Sequence, residues 1–178
     1  MDIVIRKAHT IDAGSIFVIM EIAAGQMKNN GLFLSDNIDY INSHIEKNGI
    51  TFIAEINGIT AGFLAVDIPG ELSHNLGFDI GLPLSELSLV AHMDSIVVLP
   101  DFRGLGLQKA LLKYAEEQAH NLGYTHFMAT VHPDNAPSLK SFLASGYEIK
   151  ITKLKYSGLI RHVLYKNIET LTKKETFK

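Results

Sequence analysis

The chain lacks cysteine, any excess of basic charge and any long hydrophobic run. The missing cysteines exclude disulfides, thiolate metal ligands and a cysteine nucleophile, and they lead us to expect a cytoplasmic protein. With 16 Lys and Arg against 19 Asp and Glu, the net charge of -3 argues against a nucleic-acid partner. No stretch approaches the roughly 20 apolar residues of a membrane span, and the first six residues resemble a strand, so we expect no membrane partner and no signal peptide.

The sequence does contain enough apolar residues for one substantial core. Of its 178 residues, 47% are hydrophobic, and we expect a single domain over residues 1–168. Residues 169–178, which include Lys173, Lys174 and Lys178, are expected to form a polar tail.

Capping and turn residues divide the chain into strands and helices. Thr10 or Asp12 is a candidate N-cap of a first helix, and Ser35 or Asp36 of a second. Asn57-Gly58 predicts a tight hairpin turn. The predicted strands are 2–8, 50–56, 59–66, 89–98, 124–131, 147–155 and 159–166, and further helices are predicted over 104–122 and 135–145.

This order predicts an α/β fold of mixed α+β character. We expect a central mixed, mostly antiparallel sheet of six or seven strands, flanked by about four helices in three layers. The loop-rich segment 69–86 is long for a simple connection and is expected to form a flap beside the substrate.

The segment Val98–Leu107 leads from a strand into a helix through a turn that contains Gly104 and Gly106. Amide groups at the start of a helix, together with the positive end of the helix dipole, favour bound anions. Arg103 adds a charge that two oxygens can share. The junction therefore predicts a small phosphate-bearing ligand.

Two motifs make the chain resemble the GNAT superfamily of acyl-CoA-dependent N-acetyltransferases, over nearly its whole length. The first is VLPDFRGLG at residues 98–106, and the second is HPDNAPSLKSFLASGY at residues 132–147. The resemblance implies acetyl-CoA as cofactor and transfer of its acetyl group to a primary amine of a small molecule or a protein, by direct attack in a ternary complex. It also allows a homodimer.

The coenzyme A pyrophosphate suits the helix-start amides of the first motif. The resemblance implies that the strand end binds the pantetheine arm, and that the N–H of Val97 or Val98 stabilises the developing oxyanion of the thioester. It also implies that Asn135 and Ser138 touch the cofactor. The expected cofactor-binding residues are Ile96, Val97, Val98, Arg103, Gly104, Leu105, Gly106, Leu107, Gln108, Lys109, Asn135 and Ser138.

A base is needed to take a proton from the attacking amine, and His92 and Asp94 are the candidate catalytic residues. Residues two apart on a strand share a face, so His92, Asp94 and Ile96 are expected to point the same way. The alternatives are a structural, hydrogen-bonded His92 and an Asp94 that caps the flap or pairs with a backbone amide.

The chain departs from the GNAT pattern at two positions. Gln108 replaces a small residue of the glycine turn, where its side chain can point outward. Phe142 replaces the tyrosine that in the family donates a proton to the departing thiolate. We expect Phe142 to pack in the core, and Ser141 is a weak substitute donor. A non-catalytic acyl-CoA sensor or scaffold domain is the alternative function.

Other ligand classes fit the sequence less well. Lys109 stands where a dinucleotide fingerprint needs its third glycine, and no Gly-Lys-Ser/Thr phosphate loop is present. The eight histidines show no metal-binding spacing, so we expect no metal. Asp79 and Glu86 are candidates to attract a cationic acceptor amine.

Overall fold

The computed structural model describes residues 2–26 and 36–169, and within them seven strands form one sheet. The order across the sheet is β1-β2-β3-β4-β5-β7-β6, in which β4 and β5 are parallel and all other neighbours antiparallel. The predicted mixed, mostly antiparallel sheet is therefore confirmed. The strands are β1 (Ile3–Lys7), β2 (Gly49–Ile56), β3 (Ile59–Asp67), β4 (Val90–Val98), β5 (His126–Val131), β6 (Glu148–Lys155) and β7 (Leu159–Asn167).

Four α-helices in the described part of the chain cover the two faces of this sheet. They are α1 (Ala13–Gln26), α2 (Ile38–Glu46), α3 (Leu107–Asn121) and α4 (Ala136–Ala144). Helices α1 and α2 pack on one face around Ile16, Met20 and Ile53, and α3 packs on the other around Leu111, Leu112 and Phe127. None of the helices within 2–26 and 36–169 is both long and apolar enough to cross a membrane.

The helix starts agree only in part with the caps that the sequence predicts. Asn37 caps α2, because its side chain accepts a hydrogen bond from the Tyr40 N–H at 2.9 Å, so Asp36 is not the cap. Ser35 lies outside the described residues. A 3₁₀ turn over Thr10–Asp12 precedes α1, and the Asp12 carboxylate accepts from the His9 N–H at 2.8 Å and pairs with Arg6.

The hairpin turn takes the form that the sequence predicts, and the segment expected to form a substrate-side flap is folded onto the sheet. Asn57 and Gly58 both have positive φ, 49° and 78°, as a type I′ turn between twisted strands requires. The segment 69–89 folds into two 3₁₀ turns, Leu76–Ile80 and Leu84–Leu89. Leu76 and Leu87 of these turns are buried, so the flap is packed against the sheet. Most of the predicted tail, residues 170–178, lies outside the described residues.

The sheet opens between its two parallel strands. Strands β4 and β5 pair from Val90 and His126 to His92 and Met128, and beyond these residues they diverge. The divergent ends lead into the start of α3 and the start of α4, respectively. Both sequence motifs therefore meet at this opening.

A β-bulge in β4 lies at the same opening. Met93 pairs with Val66 and Ser95 pairs with Ala65 of β3, so Asp94 is an extra residue between them. Behind the bulge β3 comes very close to β4, since a side chain at Gly62 would lie 2.6 Å from the Val97 carbonyl oxygen. Only glycine allows this backbone approach.

Candidate active site

A cavity of about 660 Å³ fills the opening between β4 and β5. It is bounded by the end of β4, the glycine turn before α3, the end of β5 and one side of α4. Of the residues predicted to form the site, those in its lining are Asp94, Ile96, Val97, Val98, Arg103, Gly104, Gly106, Leu107, Gln108, Lys109, Asn135 and Ser138. His92 and Leu105 lie outside this lining.

The glycine turn exposes the amides at the start of α3. Gly104 and Gly106 have φ values of 79° and 75°, a conformation that glycine adopts without strain. The Ala110 N–H donates to the Gly106 carbonyl at 3.0 Å, so the amides of Leu107, Gln108 and Lys109 precede the helical hydrogen bonds. The space beside both glycines is open. These donors suit a diphosphate group.

Arg103 stands at the edge of this turn and is held loosely. Its Nε donates to the Val98 carbonyl at 3.3 Å, and its Nη2 donates to the Gln26 Oε1 at 3.4 Å. The side chain is exposed and has no acidic partner among the described residues. Its charge thus remains available to an anion.

The backbone of β4 presents alternate donors to the opening. The Leu99 N–H donates to the Ala61 carbonyl of the chain next to β3, at 2.8 Å. Because N–H groups alternate along a strand, that of Val97 also points towards β3, whereas those of Ile96 and Val98 point into the opening. Between the two predicted oxyanion donors, this geometry favours Val98 over Val97. The Val97 side chain packs in the core beside α1.

The bulge changes which side chains share a face. Met93 and Ile96 both pack towards α3, although they are three residues apart, because the extra residue reverses the alternation. The expectation that Ile96 faces the same way as His92 and Asp94 was therefore wrong.

Asp94 projects into the cavity from the bulge and is solvent-accessible, but protein surrounds its carboxyl group. The Tyr40 hydroxyl of α2 donates a hydrogen bond to it. Desolvation in this setting raises the pKa of Asp94, and the Tyr40 hydrogen bond opposes that rise. A carboxylate with a raised pKa at the cavity is suited to accept a proton.

His92 is buried, with both ring nitrogens engaged. Its Nε2 accepts from the Leu76 N–H at 3.1 Å, so its Nδ1 carries the proton and donates to Asp67, also at 3.1 Å. No free lone pair is left to accept a proton from an amine. This placement does not support His92 as the direct base, and it corresponds to the structural alternative: His92 connects the flap to β4.

Asp67 is the centre of a cluster with two buried histidines, His44 and His92, and one exposed histidine, His74. Its carboxylate lies 3.3 Å from His44 Nε2, 3.1 Å from His74 Nε2 and 3.1 Å from His92 Nδ1. We call Asp67, His44, His74 and His92 the Asp67 cluster. Burial alone would raise the pKa of Asp67, but hydrogen bonds from His44 and His92 outweigh it and the pKa is lowered.

His44 meets an acceptor at each ring nitrogen within this cluster. Its Nδ1 faces the Tyr40 carbonyl at 2.9 Å and its Nε2 faces Asp67, so both nitrogens meet acceptors. Burial alone would lower the pKa of His44, but these two contacts raise it overall. The pair fastens α2 to the end of β3.

The second motif forms the opposite wall of the cavity. The Asn135 side chain caps α4 by accepting from the Ser138 N–H at 3.4 Å, and both residues line the cavity. The sequence profile of the Acetyltransferase (GNAT) family matches residues 19–147. The chain belongs to this family.

Solved structures of GNAT proteins share the fold at low sequence identity. Salmonella typhimurium yncA, described as a candidate acetyltransferase and solved with its cofactor acetyl-CoA, is 18% identical with a TM-score of 0.71, covering 99% of this chain and 100% of its own. The ribosomal-protein-S18-alanine N-acetyltransferase from Escherichia coli is 16% identical with a TM-score of 0.72, and the same shares are covered. No curated protein sequence matches the chain.

Phe142, where the GNAT family has a tyrosine, packs as expected. It is 2% exposed and meets Tyr147 edge to face, with ring centroids 5.0 Å apart. Part of the side chain also lines the cavity. The Tyr147 hydroxyl is buried beside Glu116 in the core, and neither residue lines the cavity.

Asp79 and Glu86, which were expected to attract a cationic acceptor, already have partners in this GNAT protein. Asp79 pairs with Lys153 at 2.7 Å and Lys155 at 2.5 Å, and Glu86 pairs with His126 at 3.2 Å. The two lysines neutralise Asp79, whereas burial lowers the pKa of His126, and neither Asp79 nor Glu86 lines the cavity. The expectation that they attract the amine is not supported.

The sequence does not indicate two groups near this GNAT site. The Asp67 cluster joins α2, the end of β3, the flap and β4, so no local spacing indicates it. Thr130 lines the cavity, and its Oγ1 lies 2.9 Å from the hydroxyl of Tyr156 in the β6–β7 turn. The parallel pairing of β4 with β5 is what brings Thr130 opposite Asp94.

Proposed function

We propose that this GNAT protein transfers an acetyl group from acetyl-CoA to a primary amine by direct attack in a ternary complex. The observation that carries the proposal is the single cavity between β4 and β5. The anion-binding amides of α3 lie at one part of its lining, and the carboxylate of Asp94 lies at another. Membership of the GNAT family supports acyl transfer as the general reaction.

Each wall of the cavity offers groups that suit one part of acetyl-CoA. The amides of Leu107–Lys109, with Arg103, would hold the pyrophosphate. The free edge of β4 at Ile96 and Val98 would hydrogen-bond the amides of the pantetheine arm. Asn135 and Ser138 would contact the cofactor from α4.

In the reaction, Asp94 accepts a proton from the acceptor amine as its nitrogen attacks the thioester carbonyl. A bond forms between nitrogen and carbon, the carbon–sulfur bond breaks, and the sulfur leaves with the electron pair. The Val98 N–H stabilises the negative charge that develops on the carbonyl oxygen. Because the nitrogen attacks directly, no protein nucleophile is required, in keeping with the absence of cysteine.

His92 acts in this proposal as a positioning residue. It connects Leu76 of the flap with Asp67 and so fixes the acceptor side of the opening relative to β4. Its substitution should change the KM of the amine more than the affinity for acetyl-CoA.

The acceptor amine belongs either to a small molecule or to a protein. The test therefore measures acetyl-CoA binding first and turnover with different amines separately. Acetyl-CoA at a hundredfold excess over its Kd should stabilise the protein by about 2.7 kcal/mol and raise its Tm by several degrees. No shift at millimolar acetyl-CoA would contradict the proposal. Thiol release is then measured with polyamines, free amino acids, aminoglycosides and peptides offering an N-terminus or a lysine.

Phe142 favours a second candidate, a non-catalytic acyl-CoA sensor or scaffold. In that case acetyl-CoA would bind and raise the Tm, but no acceptor in the panel would release thiol. Asp94→Asn would then have no measurable effect, since there would be no turnover to lose.

A further inference from the structure

The hydroxyl groups at the end of β5 are not used by the function proposed above. Thr130 lies two residues beyond Met128, the last β5 residue paired with β4, and it lines the cavity. Its Oγ1 lies 2.9 Å from the Tyr156 hydroxyl. The cavity is also lined by Phe142, which has no hydroxyl.

The turn that carries Tyr156 holds an unusual backbone. Tyr156 and Ser157 have φ values of 48° and 63°, and Gly158 has a φ of 113°. The Gly158 N–H donates to the Lys155 carbonyl at 3.1 Å, which closes the turn between β6 and β7. A bulky residue with positive φ is uncommon and carries strain, and such strain is concentrated at functional sites.

The neighbours of Tyr156 keep its phenol in the form that donates a hydrogen bond. Tyr156 is 46% exposed overall, but partial desolvation of its hydroxyl raises its pKa, and the nearby Asp94 charge adds to the rise, while the Thr130 hydrogen bond and the Arg161 charge oppose it. The Arg161 guanidinium carbon lies 5.9 Å from the Tyr156 ring centroid. A thiol, by contrast, ionises near pH 8.5 in water.

We propose that Thr130 and Tyr156 form a chain of two hydroxyls that stabilises the departing thiolate of coenzyme A, in place of the tyrosine absent at position 142. The inference rests on the proposed function, because it requires acetyl-CoA in this cavity. Either hydroxyl can donate at their contact; in the proposed chain, with the thiolate present, Thr130 turns its proton to the sulfur and Tyr156 donates to Thr130, which strengthens that donor. Thr130 is the catalytic residue of the pair, and Tyr156 acts through it.

The chemical step balances without an additional reactant. As the carbon–sulfur bond breaks, the electron pair stays on sulfur and the Thr130 hydroxyl bonds to it. Neither hydroxyl gives up its proton, since the phenol is a weaker acid than the thiol. The thiolate is finally protonated with the proton that the amine gave to Asp94, which passes through solvent as the products leave.

Binding of coenzyme A is the most direct test, because it needs no acceptor amine. The Kd values of coenzyme A and acetyl-CoA are measured by calorimetry at pH 7 and pH 9.5. Acetyl-CoA has no ionisable thiol, so the ratio of the two affinities isolates the thiolate. In the wild type, the affinity for coenzyme A should rise relative to the affinity for acetyl-CoA as the pH rises from 7 to 9.5.

Removing either hydroxyl should reduce that rise. In Tyr156→Phe and Thr130→Val the affinity for coenzyme A relative to acetyl-CoA at pH 9.5 should be about fivefold to tenfold lower than in the wild type, with the Kd of acetyl-CoA unchanged. Thr130→Ser retains the hydroxyl and should keep the relative affinity for coenzyme A of the wild type. Tyr165→Phe is the matched control, because the Tyr165 hydroxyl also has a partner across a strand pair, His126 Nδ1 at 2.9 Å, and this variant should behave as the wild type.

Phe142→Tyr in the Tyr156→Phe background should restore the higher relative affinity for coenzyme A at pH 9.5, because it returns a hydroxyl to the cavity wall. Unchanged affinity ratios in both Tyr156→Phe and Thr130→Val would overturn the inference while leaving the proposed function intact. Failure of the wild type to bind acetyl-CoA would instead overturn the proposed function. The Tm of each variant, measured in parallel, identifies any loss of folding, and Thr130→Ser then separates hydroxyl loss from misfolding.

Discussion

The hydroxyl of Tyr40 on α2 donates a hydrogen bond to the carboxylate of Asp94 at the bulge of β4. The bulge turns the Asp94 side chain into the opening of the sheet, and Tyr40 holds it there. One contact thus joins α2 to the candidate base.

Asp94→Asn tests the base directly. The substitution should lower kcat by at least about a hundredfold, the usual contribution of a positioned base, with the Kd of acetyl-CoA within twofold of wild type. In the wild type, the rate should rise with pH through a pKa above the ordinary aspartate value, because the carboxylate form is the active one.

Tyr40→Phe is the companion variant for this prediction. It removes a hydrogen bond that lowers the pKa of Asp94, so the acidic limb of the rate profile should move to higher pH. The plateau at high pH should remain close to that of the wild type. An acidic limb at the same pH in both proteins would contradict the assignment of Asp94.

Asp36 should oppose stability when it is ionised. Burial and the Asp94 charge raise the pKa of Asp36 to about 6. A carboxyl whose folded pKa is raised contributes stability below its unfolded pKa, and this is lost as the pH rises through about 6. Asp36→Asn should therefore raise the free energy of unfolding at pH 8 by on the order of 1–3 kcal/mol relative to its effect at pH 4.

Thermal unfolding between pH 4 and pH 8 measures this difference. Asp101→Asn is the control, since Asp101 is an exposed aspartate on the 3₁₀ turn after β4. It should shift the Tm equally at both ends of the range. A pH-independent effect of Asp36→Asn would show that its ionisation is not coupled to folding.

The His44–Asp67 pair also depends on protonation, and its stability should change with pH in the same direction as that of Asp36. A histidine with a raised folded pKa stabilises the protein fully below its unfolded pKa near 6.5, and the stabilisation is lost as the pH rises through the folded value. His44→Gln should lower the Tm by several degrees at pH 6, with a smaller difference at pH 9. His162→Gln, on β7 three strands away from β3, should show no such pH dependence.

Asp67→Ala should have a larger effect than His44→Gln. It would leave the buried His44 ring without its acceptor, and breaking a buried ion pair costs about 3–5 kcal/mol when the histidine is protonated. Urea unfolding at pH 7 measures it. A loss below 1 kcal/mol would indicate that the Asp67 cluster contributes little to holding α2 and the flap.

Gly106→Ala tests the anion site with an internal control in the same chain. Gly106 and Gly58 have nearly equal φ values, 75° and 78°, and open space around the missing Cβ. Both alanine variants should therefore lose similar stability, about 1 kcal/mol. Only Gly106→Ala should weaken acetyl-CoA binding, by about tenfold or more, because its methyl group would occupy the space in front of the α3 amides.

Equal acetyl-CoA affinity in the Gly106→Ala and Gly58→Ala proteins would place the pyrophosphate elsewhere. Isothermal titration calorimetry on both proteins gives the comparison directly. Arg103→Ala should add a smaller loss, since Arg103 is exposed and its charge is screened by solvent.

The features that the sequence predicted correctly are those encoded within a short segment. The Asn57-Gly58 turn and the glycine turn before α3 each depend on residues a few positions apart. The position of Ile96 was mispredicted because a bulge depends on how β3 pairs with β4 and leaves no mark in the β4 sequence. The Asp67 cluster and the Thr130–Tyr156 contact depend on the strand order, which sequence spacing does not encode.

The short pairing of β4 with β5 has a consequence for the unfolding of the whole molecule. Three residue pairs join a four-stranded half of the sheet to a three-stranded half. Beyond them, where the cavity lies, β4 and β5 are not paired. A ligand whose amides bonded to the free edge of β4 would supply hydrogen bonds in this gap. Ligand binding and the continuity of the sheet would then depend on the same hydrogen bonds. The ligand-bound protein would unfold as one unit, whereas the ligand-free protein would separate first between β4 and β5.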